Sequence, residues 1–305
     1  MMKQIKGTLW KKSLPIAANL LRLLISGGVS LALIAGCSSS DDDADDSSPS
    51  AYGFVSVDVD EEDGMVETEL VASFIRFDDL KLAAQAESYV GSVTDALDGS
   101  ERCFVGDSAE LLLIEDTPEL LVNDPEIGEF ISAGETLTFT SSAGTYATLE
   151  GQTQTSPIDG SALIFYERPS GALAGEPPAG LTLDIEGDVF RMFSNVAVPE
   201  LPAPLNDFSP TIGGPVNENT SFAFGWTPSG VDGAMISLGI SSDTESIDCL
   251  LVDDGSFSLL DLGTPQSGLL DNFNGTVRDV DRGAVTVEQA GNDTLLIFAE
   301  DGRGG

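Results

Sequence analysis

The sequence predicts an all-β protein: one or two β-sandwich domains of immunoglobulin-like type, with at most one or two short helices. Short apolar runs with a two-residue alternation recur along most of the 305 residues, several at spacings of about 8–12 residues. Between them stand Asp-Gly pairs beginning at Asp63, Asp98, Asp159, Asp232, Asp254 and Asp301, and Asn-Gly at Asn274. These dipeptides tolerate the left-handed backbone that tight hairpin turns demand. Helical spacing is confined to two short stretches.

In chain order, the alternating runs predict strands at 54–59, 70–77, 136–140, 146–150, 162–167, 181–185 and 189–193. They continue at 220–226, 235–240, 247–252, 256–260, 284–288 and 294–298. One helix is expected over 79–89, where Leu80, Ala83, Ala84 and Ala86 lie between an acidic start and Gly91. A weaker one covers 118–122. Pro199, Pro202 and Pro204, followed by Pro210 and Pro215, mark the best boundary, because proline removes a ladder donor and cannot sit inside a sheet. The expected division is 1–36, 37–50, an N-terminal β domain at 51–198, a Pro-rich linker at 199–215, and a C-terminal immunoglobulin-like sandwich at 216–305. A single sheet shared by both parts is the alternative.

Charge excludes several function classes. The chain carries 51 Asp+Glu against 13 Lys+Arg. Five of those bases, Lys3, Lys6, Lys11, Lys12 and Arg22, precede the first acid, Asp41, so from residue 23 onward the net charge is −43. Such a body repels nucleic acid and anionic lipid headgroups. Cations, glycans or a basic envelope protein are the expected partners.

The first 36 residues have the layout of an export signal: a basic start, then an apolar stretch at 23–35 too short for a good membrane span. It ends in Ile34-Ala35-Gly36-Cys37. This resembles the lipobox of bacterial lipoprotein precursors. The resemblance implies cleavage between Gly36 and Cys37 and acylation of the Cys37 thiol, which ties the mature chain to a bilayer. Ser38 in place of Asp implies an outer-membrane address, at the periplasmic face or the cell surface. Residues 38–50, rich in Ser and Asp, read as a solvated tether with a reach on the order of 20 Å.

With Cys37 assigned to the lipid, Cys103 and Cys249 remain, and an oxidising compartment predicts one disulfide between them. The absence of any histidine removes Ser-His-Asp triads, Cys-His dyads and the usual zinc sites. Lys81 is the single lysine after residue 22, and Asp78 three residues before it breaks the Ser-x-x-Lys pattern. Paired carboxylates of a histidine-free glycosidase are a third-ranked alternative, with no pair singled out.

Calcium is the one cofactor this composition favours, since it takes clustered oxygen ligands. The nearest match supplies Asp58, Asp60 and Glu62, with Glu69 in the twelfth place from Asp58. Gly64 falls one position late for a helical calcium loop, so a charged hairpin end is the better account. Asp253, Asp254, Asp279 and Asp281 form similar acidic turns. Phe222, Phe224 and Trp226 alternate onto one face; the expected role is a core, with sugar stacking as the alternative.

That aromatic run and Cys249, with the 181–190 stretch upstream and Arg278 downstream, resemble uncharacterised acidic bacterial lipoproteins of no known activity, so the resemblance implies no site. The expectation is a lipid-anchored envelope protein that displays, binds or builds rather than catalyses.

Overall fold

The computed structural model describes residues 50–62, 64–77, 80–106, 128–155, 162–220, 222–242, 246–261 and 273–304. The leader, Cys37, most of the tether and the helix expected at 118–122 lie outside them. The fold is all-β. One large sheet takes β1 (Ala51–Glu62), β2 (Met65–Phe77), β17 (Asp293–Asp301) and β16 (Asn274–Ala290) as its centre.

On one side of β2 follow β7 (Ala162–Glu167), β6 (Gly144–Thr155), β5 (Thr136–Ser141), β9 (Thr182–Ile185) and β10 (Phe193–Ala197). On the other side of β16 follow β13 (Ala234–Ser241), β14 (Ser246–Val252) and β3 (Arg102–Gly106). Three short strands branch off: β4 (Gly128–Phe130) and β8 (Leu173–Ala174) pair β2, and β11 (Pro215–Asn217) pairs β16. A separate ribbon joins β12 (Ala223–Gly225) to β15 (Ser256–Ser258). The shared-sheet alternative therefore describes this ladder: β1 runs parallel to β17 from Ala51 beside Asp293 to Val59 beside Asp301, and β3 closes the far edge on β14.

Alternation explains why the central strands are buried on both faces. On β17, Leu296 and Phe298 enter one core with Tyr52, Ile75, Phe77 and Phe165. Their neighbours Leu295, Ile297 and Ala299 enter another with Val55, Val57, Phe74 and Phe190. That second core also holds Leu137 on β5 and Leu183 on β9, several ladder steps from β1. The sheet must curl over itself to bring them together. Each such side chain contributes about 1.5–3 kcal/mol on leaving water.

Helix α1 (Leu80–Leu97) covers the first core with Ala86, Val90, Val93 and Ala96. It runs past Gly91, the expected stop, because this buried row continues at helical spacing and Gly91 is exposed with nothing within 4 Å of where a Cβ would stand. The stop is Gly99 at φ +87°, where the amides of Asp98, Gly99 and Ser100 bond back to the last turn.

Three other expectations need correction. Residues 189–192 form no strand; β10 begins at Phe193, because Phe190 turns into the core at 0% exposure. The 220–226 run is broken by a 3-10 turn at Glu218–Thr220 and by Phe222 at φ +50°, which leaves only β12 extended. Asp254 and Gly255 do turn the chain, with Gly255 at φ +104°. They carry it from the large sheet into the ribbon, since β15 pairs β12 and not β14. Phe222, Phe224 and Trp226 are all buried as expected, in a third core with Ile236, Leu238 and Cys249.

Candidate functional site

The calcium candidates lie on the β1–β2 hairpin, whose tight turn places Gly64 at φ +77°. Asp58 stands directly opposite Glu69 on β2 and opposite Glu300 on β17. Directly opposed residues share a face and carry Cβ atoms about 4.5–5.5 Å apart. Three carboxylates from three adjacent strands are thus side by side at the end of the first core. Asp60 is opposite Glu67 and exposed; Glu62 pairs Met65 through the backbone, and its side chain lies outside the described residues.

Asp58 is 6% exposed, and the Ser56 hydroxyl donates to its Oδ2 at 2.6 Å. Burial pushes its pKa up to about 8, with smaller upward pushes from Glu69 and Asp60, while the Ser56 hydrogen bond pulls the other way. Such a carboxyl keeps its proton at neutral pH and can donate a hydrogen bond. Among the described residues no group of three or more Asp, Glu or Cys side chains has the geometry to hold a metal ion. A raised acid beside a second carboxylate is also the pairing a glycosidase uses, but Asp58 lines neither of the two clefts described below.

The remaining acidic candidates do different work, and Asp279 and Asp281 are not turn residues: both lie within β16, opposite Gly239 and Ser237 of β13. Asp253, expected only as a turn residue, has a side chain 2% exposed and an ion pair at 3.1 Å to Arg282, itself 4% exposed. Asp253 Oδ1 also accepts from Trp226 Nε1 at 2.8 Å, and Oδ2 accepts from the Ser229 amide at 2.8 Å and hydroxyl at 2.5 Å. Arg282 further donates to the carbonyls of Ala203 and Thr227. One strand residue thereby fastens the Pro-rich segment and the aromatic core to the large sheet. Asp207 in that segment accepts from the Thr227 amide and hydroxyl, bonds that hold its carboxyl below the ordinary value.

Arg278 bridges Asp248, at 2.6 Å, and Asp279. Burial opposes its charge, and the two carboxylates outweigh burial and raise its pKa. Arg303 binds Asp301 and Glu176. The few arginines are spent on internal ties, a role the sequence reading missed. Little in the sequence signals it: Arg282 ends the charged stretch Arg278-Asp279-Val280-Asp281-Arg282, just before the strand expected at 284–288.

The disulfide between Cys103 and Cys249 is present, joining directly opposed residues of β3 and β14. A cleft of about 640 Å³ runs beside the ribbon, lined by Phe224, Phe257, Ser256, Asp254 and Glu101 among others. A second of about 200 Å³ opens over Val57 and Ala299 between Pro178 and Pro199. Comparison with protein-family models, curated proteins and solved structures returns no match for this chain.

Proposed function

We propose that this chain is an exported protein of the bacterial envelope, held to a bilayer by acylated Cys37, whose β body serves a binding or structural role. The observation that carries the reading is the cysteine account. Cys103 and Cys249 are committed to each other across β3 and β14, which leaves Cys37, in its Ile34-Ala35-Gly36-Cys37 setting, as the one remaining thiol. Disulfides persist in oxidising compartments, so the pairing and the leader agree on export.

Two further features support the reading. The described body begins at Ser50 and Ala51, immediately behind the Ser/Asp stretch, so a tether enters a central strand rather than a loose end. Arg76, Arg102, Arg278, Arg282 and Arg303 each pair with one of the body's own carboxylates, and the balance from residue 23 onward stays at −43. Expression of the full chain with metabolic palmitate labelling tests this: wild type takes up label and Cys37→Ser does not. Label retained by the variant, or absent from both, refutes the anchor.

Calcium binding is the weaker second reading: Asp58, Glu69 and Glu300 stand on adjacent strands but lack metal-holding geometry as placed, so an ion would have to draw the three carboxylates together. A calcium ion would neutralise the group, and a melt whose midpoint rises with millimolar calcium and falls with chelator tests it. An unmoved midpoint rejects it.

A further inference from the structure

The loop at 187–192, between β9 and β10, exposes two apolar side chains although nothing about it is loose. Its amides are pinned: Gly187 N donates to Ala133 O at 3.0 Å, Phe190 N to Ser132 O at 2.9 Å, and Arg191 N to Asp293 Oδ2 at 2.8 Å. Phe190 is a plug at 0% exposure, its ring centroid 4.6 Å from Phe74 and 5.4 Å from Phe193. A Cβ on Gly53 would stand 3.0 Å from the Phe190 ring, so the plug sits hard against β1. Held by this anchor, Val189 is 49% and Met192 66% exposed, with the exposed cation Arg191 between them in the chain.

The position of the loop says what such a display is for. Asp293, which fixes Arg191, is the ladder partner of Ala51, the first residue of β1 and the point where the tether joins the body. Arg76 lies opposite Ala51 on the other side. Fourteen residue steps separate Cys37 from Ala51, at most about 50 Å when fully extended and on the order of 20 Å for a flexible chain. The end of the body that carries the loop is therefore held nearest the lipid. The opposite end of β1, a twelve-residue strand about 40 Å long, presents Asp60 and Glu61, with half-buried Glu67 of β2 opposite Asp60. Within 187–192 there is one acid, Asp188, and one base, while the chain from residue 23 onward stands at −43. Most of the surface is repelled by anionic headgroups; this loop is not.

We propose that Val189 and Met192 form a lipid-contact loop that seats the tether end of the body on the bilayer surface. This deepens the anchoring proposal and rests on it. The acyl chains supply the membrane affinity; the loop adds a second, weaker contact that fixes orientation, with its two apolar side chains entering the headgroup boundary, while the Arg191 guanidinium stays packed against Gly291.

The test uses the full lipidated chain reconstituted into phosphatidylethanolamine and phosphatidylglycerol vesicles whose acyl chains are brominated, which quenches tryptophan at bilayer depth. Three variants are compared: Met192→Trp, Val189→Trp, and Met65→Trp at the far hairpin, where the native methionine is 61% exposed. The native Trp226 is buried and gives the background. Vesicle flotation reads anchoring separately. The expected result is that all three variants float, that tryptophan at 192 or 189 loses about half its emission, and that tryptophan at 65 stays at background. Variants that float with equal quenching at 192 and 65, or with none at 192 and 189, overturn the loop assignment and leave the anchor standing. A chain that does not float and carries no lipid overturns both.

Discussion

Two buried aspartates divide this molecule. Asp253 meets Arg282, Trp226 and Ser229 in a closed set of donors. Asp58, equally withdrawn from water, receives one hydroxyl and faces Glu69 and Glu300 across the ladder. The first region is cross-linked: ion pair, disulfide and aromatic core bind the C-terminal strands, the ribbon and the Pro-rich segment. The second stores unfavourable charge at the heart of the sheet and relieves it with a proton. The difference teaches where rigidity is bought and where the fold answers to its solution.

The largest effect is expected from the disulfide. Its two cysteines are 146 residues apart, and in the chain-entropy model such a crosslink contributes about 4–5 kcal/mol. The Cys103→Ser, Cys249→Ser double variant should lose that much in denaturant melts; a loss under about 1 kcal/mol would mean that the β3 edge does not depend on the crosslink. Next comes Arg282→Met, which leaves the Asp253 charge buried without its partner at a cost of about 3–5 kcal/mol. If this variant unfolds no sooner than wild type, the two aspartates are alike after all.

Asp58→Asn acts in the opposite direction and depends on pH. The folded chain keeps the Asp58 proton to about pH 8, while the unfolded chain releases it near the ordinary value of 3.8. Between those values the native state binds more protons, so this group's contribution to stability is greatest below pH 4 and declines as pH rises towards 8. At about 1.4 kcal/mol per unit, the loss reaches a few kcal/mol. The Asn variant should melt higher than wild type at pH 9 and nearly alike below pH 4, and an equal gap at both would remove Asp58 from the account. The smallest effect is Asp60→Asn: an exposed carboxylate shifts stability by less than about 0.5 kcal/mol, and a larger change would place it inside the buried group.

What the sequence made legible follows the range of the physics involved. Alternation at 54–59, 70–77 and 294–298 is local, and those strands are present. The pairing of Cys103 with Cys249 followed from compartment and count. The parallel pairing of β1 with β17 joins the two ends of the described body, and no nearest-neighbour pattern encodes it. Gly91 looked like a helix stop because local propensity says so; the apolar row that carries α1 onward gains its energy from a sheet that forms elsewhere in the chain. Asp58 reads from the sequence as part of the 54–59 strand leading into a charged hairpin end, with calcium ligation as the lesser alternative. Its strand register, which sets it against Glu69 and Glu300, is what makes it a buried acid, and that register needed the ladder to be visible. Asp253 was read as a turn residue for the same reason, since its partner Arg282 is 29 residues away.

The account rests on the anchor, and the most direct measurement is the intact mass of the mature protein purified from membranes. The prediction is an N-terminus at Cys37 bearing a diacylglyceryl thioether, with residues 1–36 gone. A mature chain that begins elsewhere, or one with an unmodified Cys37 thiol and the leader still attached, would contradict it.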